Sequence, residues 1–115
     1  MSIVTLEVRS LDQTLTEFVD TWKTGIASEP RISFETPELL WRVFTAKRWE
    51  IVRTMTGTGP LPLREIARRV GRDVKAVHGD VHALTDAGII DRTEAGFVFP
   101  YDGIHVDFTI RANVA

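Results

Sequence analysis

LPLREIARRVGRDVKAVHGDVHALTDAGIID, running from Leu61 to Asp91, decides how the rest of the chain is read. A helix is expected to open near Pro62, because proline suits the first helical turn, where no N–H is needed. Leu63, Ile66, Ala67 and Val70 then share one stripe, and Gly71 stops the helix. Asp73 stands where its carboxylate can cap a second helix. Val74, Val77, Val81 and Leu84 form the inward row of that helix, and Gly88 ends it. Two short amphipathic helices, a tight turn and a following strand make a helix-turn-helix that continues into a wing.

With the valines inward, a wheel of about 100° per residue turns Lys75, Ala76, Gly79, His82, Ala83 and Asp86 outward, with His78 at the boundary. This outer face is slim, since Ala76, Gly79 and Ala83 carry almost no side chain. Such a face suits a major groove, where Lys and His reach base edges or phosphates.

The wing is expected as Ile89–Arg92, a turn over Thr93-Glu94-Ala95-Gly96, and Phe97–Phe99. Its tip carries Glu94 and no cation, so it should grip phosphate weakly. Upstream, ETPELLWRVFTAKRWEIVRTMTG reads as one long helix capped by Thr36 and ended by Gly57, Gly59 and Pro60. Leu40, Val43, Phe44, Ile51 and Met55 form its core face. Trp49 would project opposite Leu40, with Trp41 and Val52 on the flank, which calls for a second packing partner.

That partner is sought in SLDQTLTEFVDTWKTGI, where Leu11, Leu15, Phe18, Val19, Trp22 and Ile26 recur at helical spacing. Ser10 and Gln13 have capping-box spacing there. Leu15, Phe18, Trp22, Trp41 and Trp49 are the candidate dimer or partner contacts. Whether the N-terminal helix folds onto its own chain or onto a second copy stays open, and a homodimer is expected. Ile104 to Arg111 alternates like a half-buried strand, with Val4, Leu6 and Val8, and Ile32 and Phe34, as companions. The two ends can form one sheet.

The expected class is therefore α+β, a winged helix-turn-helix over 36–100. A strand and amphipathic helix over 1–35 and a strand over 101–115 extend it within one domain. A length of 115 residues, with 43% hydrophobic and 26% charged residues, fits a single globular unit. The absence of cysteine excludes disulfides, thiolate metal sites and thiol nucleophiles. No apolar run is long enough for a bilayer and the N-terminus lacks a signal-peptide layout, so a cytoplasmic, nucleoid-associated protein without membrane contact is expected.

A formal net charge of −2 hides a division along the chain. Residues 1–36 carry three basic against six acidic side chains, residues 37–93 ten against seven, and residues 94–115 one against three. The basic centre is where a polyanion would be steered. Arg64, Arg68, Arg72 and Arg92 lie off the buried stripe, at the turn or at the wing, which makes them the candidate phosphate contacts.

REIARRVGRD, the valine-spaced helix and ALTDAGIID resemble the winged helix-turn-helix domains of MarR- and ArsR-like transcription regulators over about Phe34 to Pro100. The resemblance implies double-stranded DNA as partner, with base reading by Lys75, Ala76, His78, Gly79 and His82. None of these five is Ser, Thr, Gln or Arg, a departure from the usual pattern. PELLWRVFTAKRWEIVRTM, the HVDFTI strand and the N-terminal helix resemble, more narrowly, MarR-like antitoxins found beside small toxins of the TumE type. This implies an autoregulating repressor that also binds a small toxin protein.

The same residues admit three other readings. His78 and His82 stand at i, i+4, a metal-ligand spacing that Asp80, Asp86 or His105 would have to complete, as in a metal- or ligand-responsive repressor. Without thiolates or a paired acid the pair reads as polar surface, and neither a metal nor another cofactor is expected. No Gly-rich phosphate loop, HExxH or GxSxG occurs, so no catalytic site is expected. A winged-helix protein-interaction module that does not bind DNA is the third reading, supported by Asp80 in the reading helix and the shortage of long polar side chains there.

Overall fold

The computed structural model describes residues 2–9 and 30–109. One hydrophobic core underlies this α+β fold, shared by a cluster of helices with a two-stranded hairpin and by a three-stranded sheet drawn from both ends of the chain. Helices α1 (Pro37–Val43), α2 (Ala46–Met55), α3 (Leu63–Val70) and α4 (Val74–Asp86) lie between strands β1 (Ile3–Val8) and β2 (Arg31–Phe34) and strands β3 (Asp91–Thr93), β4 (Gly96–Val98) and β5 (Gly103–Asp107). The expected N-terminal helix, with Leu15, Phe18 and Trp22, lies outside the described residues, as do Ile110 and Arg111.

The expected long helix is two helices. Thr45 takes an extended backbone, and its hydroxyl accepts a hydrogen bond from Arg48 N at 3.3 Å, so a new N-cap interrupts the chain after Phe44. The break is held from the other side, because the Arg48 guanidinium donates to the terminal carbonyls of Arg42 and Val43 at 3.3 and 3.1 Å. These carbonyls are among those a helix end cannot satisfy internally. The reorientation overturns the single-wheel geometry for Trp49, which stacks on Phe44 with ring centroids 4.3 Å apart. Val52, expected on the flank, is buried with Leu40, Phe44, Ile51 and Met55.

Beyond α2 the expected pattern is followed closely. Thr36 caps α1 by accepting from Leu39 N, Pro62 stands immediately before α3, and Gly71 leaves α3 in the left-handed conformation at φ 70°. Ile66, Ala67, Val77, Val81 and Leu84 are buried where α3 and α4 meet. Two details differ. Asp73 occupies the cap position of α4 but its carboxylate makes no cap bond, and Val74 is 39% exposed because the first residue of a helix has no preceding turn to pack beneath.

Ile89 and Ile90 belong to the core, so the hairpin starts two residues later than expected and turns through Glu94 and Ala95. Leu61, just before α3, exchanges two 2.8 Å backbone hydrogen bonds with Phe97, tying the hairpin to the helices. Gly96 is required at that crossing: its φ is 129°, and a Cβ there would run into the Leu61 carbonyl.

The terminal strands do form one sheet, of order β2-β1-β5, with β1 parallel to both neighbours. In this register Val4, Leu6 and Val8 share a face with Ile32, Phe34, Ile104 and Val106, and Val4, Leu6 and Phe34 are buried. On the other face Glu7, 7% exposed, accepts from Ser33 Oγ at 3.2 Å and pairs with Arg9 and Arg31. Strand β5 is shorter than expected and less covered, since Val106 is 37% exposed.

Candidate nucleic-acid interface

The outer face of α4 presents Lys75, Ala76, His78, Gly79 and His82, all exposed. Nothing lies within 4 Å of where a Gly79 Cβ would be, so a partner surface can approach the helix backbone there. The imidazoles of His78 and His82, one turn apart, have ring centroids at 4.2 Å. His82 meets the edge of Phe97 at 6.4 Å, and the Arg92 guanidinium sits 5.9 Å from the same ring. Phe97 therefore acts as a buried post that brings Arg92 of the hairpin and His82 of the helix onto one surface. The ends of that row carry donors for phosphate or base edges, and its middle is small and open.

The arginines divide into two groups. Arg64 and Arg68 are exposed on α3. Arg68, whose side chain is 70% exposed, is paired with Glu65, and Arg69 reaches the same carboxylate at 2.9 Å. Hydrogen bonds from Arg68 and Arg69 lower the Glu65 pKa to about 2. Arg72, expected among the phosphate contacts, turns inward: its Nη2 donates to Asp80 Oδ2 at 2.8 Å, its side chain is 18% exposed, and its Nη1 is buried without a hydrogen-bond partner. A guanidinium so engaged is a brace for the turn between α3 and α4.

Asp80, which looked from sequence like a misplaced acid in the reading helix, is the other half of that brace. Its Oδ1 accepts from Arg48 Nε at 3.1 Å, so one carboxylate joins α2, α4 and the turn before α4. Desolvation pushes this carboxyl up, but the hydrogen bonds and charges of Arg72 and Arg48 outweigh it and hold the pKa below its ordinary value. Sequence reasoning missed Arg48 because its partner is 32 residues away, beyond any helical spacing. Arg69 was missed as a cation facing outward beside Arg68, although the adjacent pair was visible.

Trp49 is half-buried in its own chain, whereas Trp41 is 48% exposed and meets Phe108 edge-on at 5.2 Å. Among the described residues no group of three His, Asp or Glu is placed to hold a metal, and no helix is long and apolar enough to cross a membrane.

Residues 43–106, from the end of α1 through α2, α3, α4 and the hairpin into β5, match the family model HVO_A0114. The chain belongs to the HVO_A0114 family. Its matched region contains every candidate base-reading and phosphate-facing residue, together with the Arg48–Asp80–Arg72 brace. No curated protein matches the chain.

Proposed function

We propose that the protein is a winged helix-turn-helix transcription regulator that binds double-stranded DNA and represses by occupying its site. One observation carries the reading: the exposed face of α4 and Arg92 of the hairpin are joined into a single surface through His82 and Phe97. In this reading α4 enters the major groove, Lys75, His78 and His82 meet base edges, and Ala76 and Gly79 allow close approach. Arg64, Arg68 and Arg92 meet phosphates, while Arg72 positions the reading helix through Asp80.

The test is a salt titration of binding to a random duplex by fluorescence anisotropy. Three arginine–phosphate contacts predict a log–log slope of about −3 per subunit. Arg64→Ala and Arg92→Ala should weaken all duplexes alike and flatten the slope by about 1 each. Lys75→Ala and His82→Ala should change the ranking among sequences.

A second reading, a winged-helix protein-interaction module, is favoured by the engagement of Arg68 with Glu65 and of Arg72 with Asp80. Binding that is absent at low salt, or that ignores salt, would select this second reading.

A further inference from the structure

We infer that two copies of this chain join edge to edge through β5, in an antiparallel pairing centred on Val106. The inference does not rest on the DNA reading, although a two-fold axis there matches that of a palindromic duplex.

Backbone direction comes first. Thr5 N donates to Pro30 O and Arg9 N to Phe34 O, so the odd-numbered residues of β1 reach toward β2. The even-numbered Val4 and Leu6 therefore reach toward β5. In a parallel ladder, a residue that makes both bonds faces one whose own groups point away. Their register partners are Ile104 and Val106, so the N–H and C=O of these two residues line the outer edge of β5. No strand among the described residues pairs with that edge.

Such a row of unsatisfied donors and acceptors is a template for another strand. Side chains then select the occupant and the register. With Val106 opposite the second copy's Val106, the two exchange a pair of hydrogen bonds, and Ile104 stands opposite the second copy's Phe108. His105 stands opposite the second copy's Asp107, and Asp107 opposite its His105. These flanking pairs are of the non-hydrogen-bonded kind, which brings side chains closest. Both His105 and Asp107 are exposed, and neither side chain makes a hydrogen bond or ion pair among the described residues.

The neighbouring registers that keep the same bonding parity place His105 against His105 or Asp107 against Asp107, and both lose the two imidazole–carboxylate pairs. The apolar side agrees: Val106 is 37% exposed, and Trp41, edge-on to Phe108, is 48% exposed beside the same row. A second copy of the same strand fits the edge in hydrogen bonding, charge and apolar contact together.

The experiment uses the full chain, with circular dichroism to confirm that each variant is folded. Sedimentation equilibrium should show a concentration-dependent dimer. His105→Asp, which faces acid with acid twice, should weaken it by about tenfold. The double variant His105→Asp/Asp107→Lys, which places opposite charges across the pairing, should recover it.

The chain has no cysteine, so Val106→Cys supplies one thiol per copy. Paired Cα atoms about 5.5 Å apart lie within disulfide range, and mild oxidation should link this variant faster than Asp107→Cys. A chain that stays monomeric overturns the inference. So does a dimer that tolerates His105→Asp and is not linked by Val106→Cys, or one linked fastest by Asp107→Cys. Duplex binding with intact salt dependence in a monomeric variant would leave the DNA reading standing while the edge pairing fell, which separates the two.

Discussion

Replacing Asp80 by alanine removes one carboxylate and strands two arginines, and the structure indicates how unequal the consequences are. Arg48 keeps its bonds to the carbonyls of Arg42 and Val43, whereas the Arg72 guanidinium makes no other hydrogen bond among the described residues and already carries a buried Nη1 without a partner. The ion pair is 18% exposed on both sides, so it is neither a screened surface pair nor a fully desolvated one. Loss of two charge-assisted hydrogen bonds, with one guanidinium left poorly solvated, should cost about 2–4 kcal/mol. For a domain of this size that is roughly 8–15 °C in Tm.

Urea and thermal unfolding measure the loss directly. Arg72→Met should cost less, about 1 kcal/mol, because Asp80 retains Arg48 and no cation is stranded. Adding it to Asp80→Ala should recover part of the stability. Asp80 has a folded-state pKa below its unfolded value. Its contribution is therefore complete above about pH 4 and is lost as pH falls through the folded-state value. The difference between the wild type and Asp80→Asn should accordingly narrow below about pH 4. An Asp80→Ala variant within about 0.5 kcal/mol of the wild type would mean that water already screens the pair, as at an exposed site. The bracing role would then be refuted.

Gly79→Ala should raise stability by about 0.5–1 kcal/mol, because the site is helical and open, while weakening duplex binding by filling the groove-facing surface. Parallel unfolding and anisotropy measurements check this opposition, and a rise in both would place Gly79 away from the interface. Gly96→Ala should destabilise by about 2 kcal/mol or more, since the left-handed φ and the Leu61 carbonyl both reject a Cβ. Its urea midpoint should fall, and hydrogen exchange at the Leu61 and Phe97 amides should quicken. Glu65→Ala frees Arg69 to join Arg68 at the phosphates, so the salt slope of duplex binding should steepen by about 1 with little change in urea midpoint. Thr45→Ala removes the cap that separates α1 from α2 and should cost about 1 kcal/mol in urea unfolding.

How much of this was legible in the sequence follows from the range of each interaction. The stripes of α3 and α4, Thr36 as a cap, Gly71 and Gly88 as stops, and the solvent-facing set of Lys75, His78, Gly79 and His82 all depend on neighbours within a few residues. Periodicity and capping chemistry express such neighbours directly. The break at Thr45 was local as well. An unbroken apolar pattern concealed it, and the hydroxyl cap with the Arg48 bonds to the preceding carbonyls prevailed over helix continuation.

The roles of Arg48, Arg72 and Asp80 were hidden for a different reason. Charge alone does not reveal whether an arginine faces solvent or an acid on another helix. Arg72 and Arg68 are indistinguishable as letters near the end of α3, yet one braces the fold and the other stands out from it. Likewise, the apolar alternation of β1 and β5 announced strands, but pairing across nearly the whole chain set their parallel register and left the β5 edge facing outward.

By itself the sequence determined α3 and α4, their buried faces and the lean surface of α4, because local backbone preference and side-chain period require no distant partner. Tertiary structure alone decided which charges are neutralised, where Trp49 packs, and how Phe97 joins the hairpin to α4. Those outcomes depend on contacts between residues far apart in the chain, whose geometry exists once the core has closed.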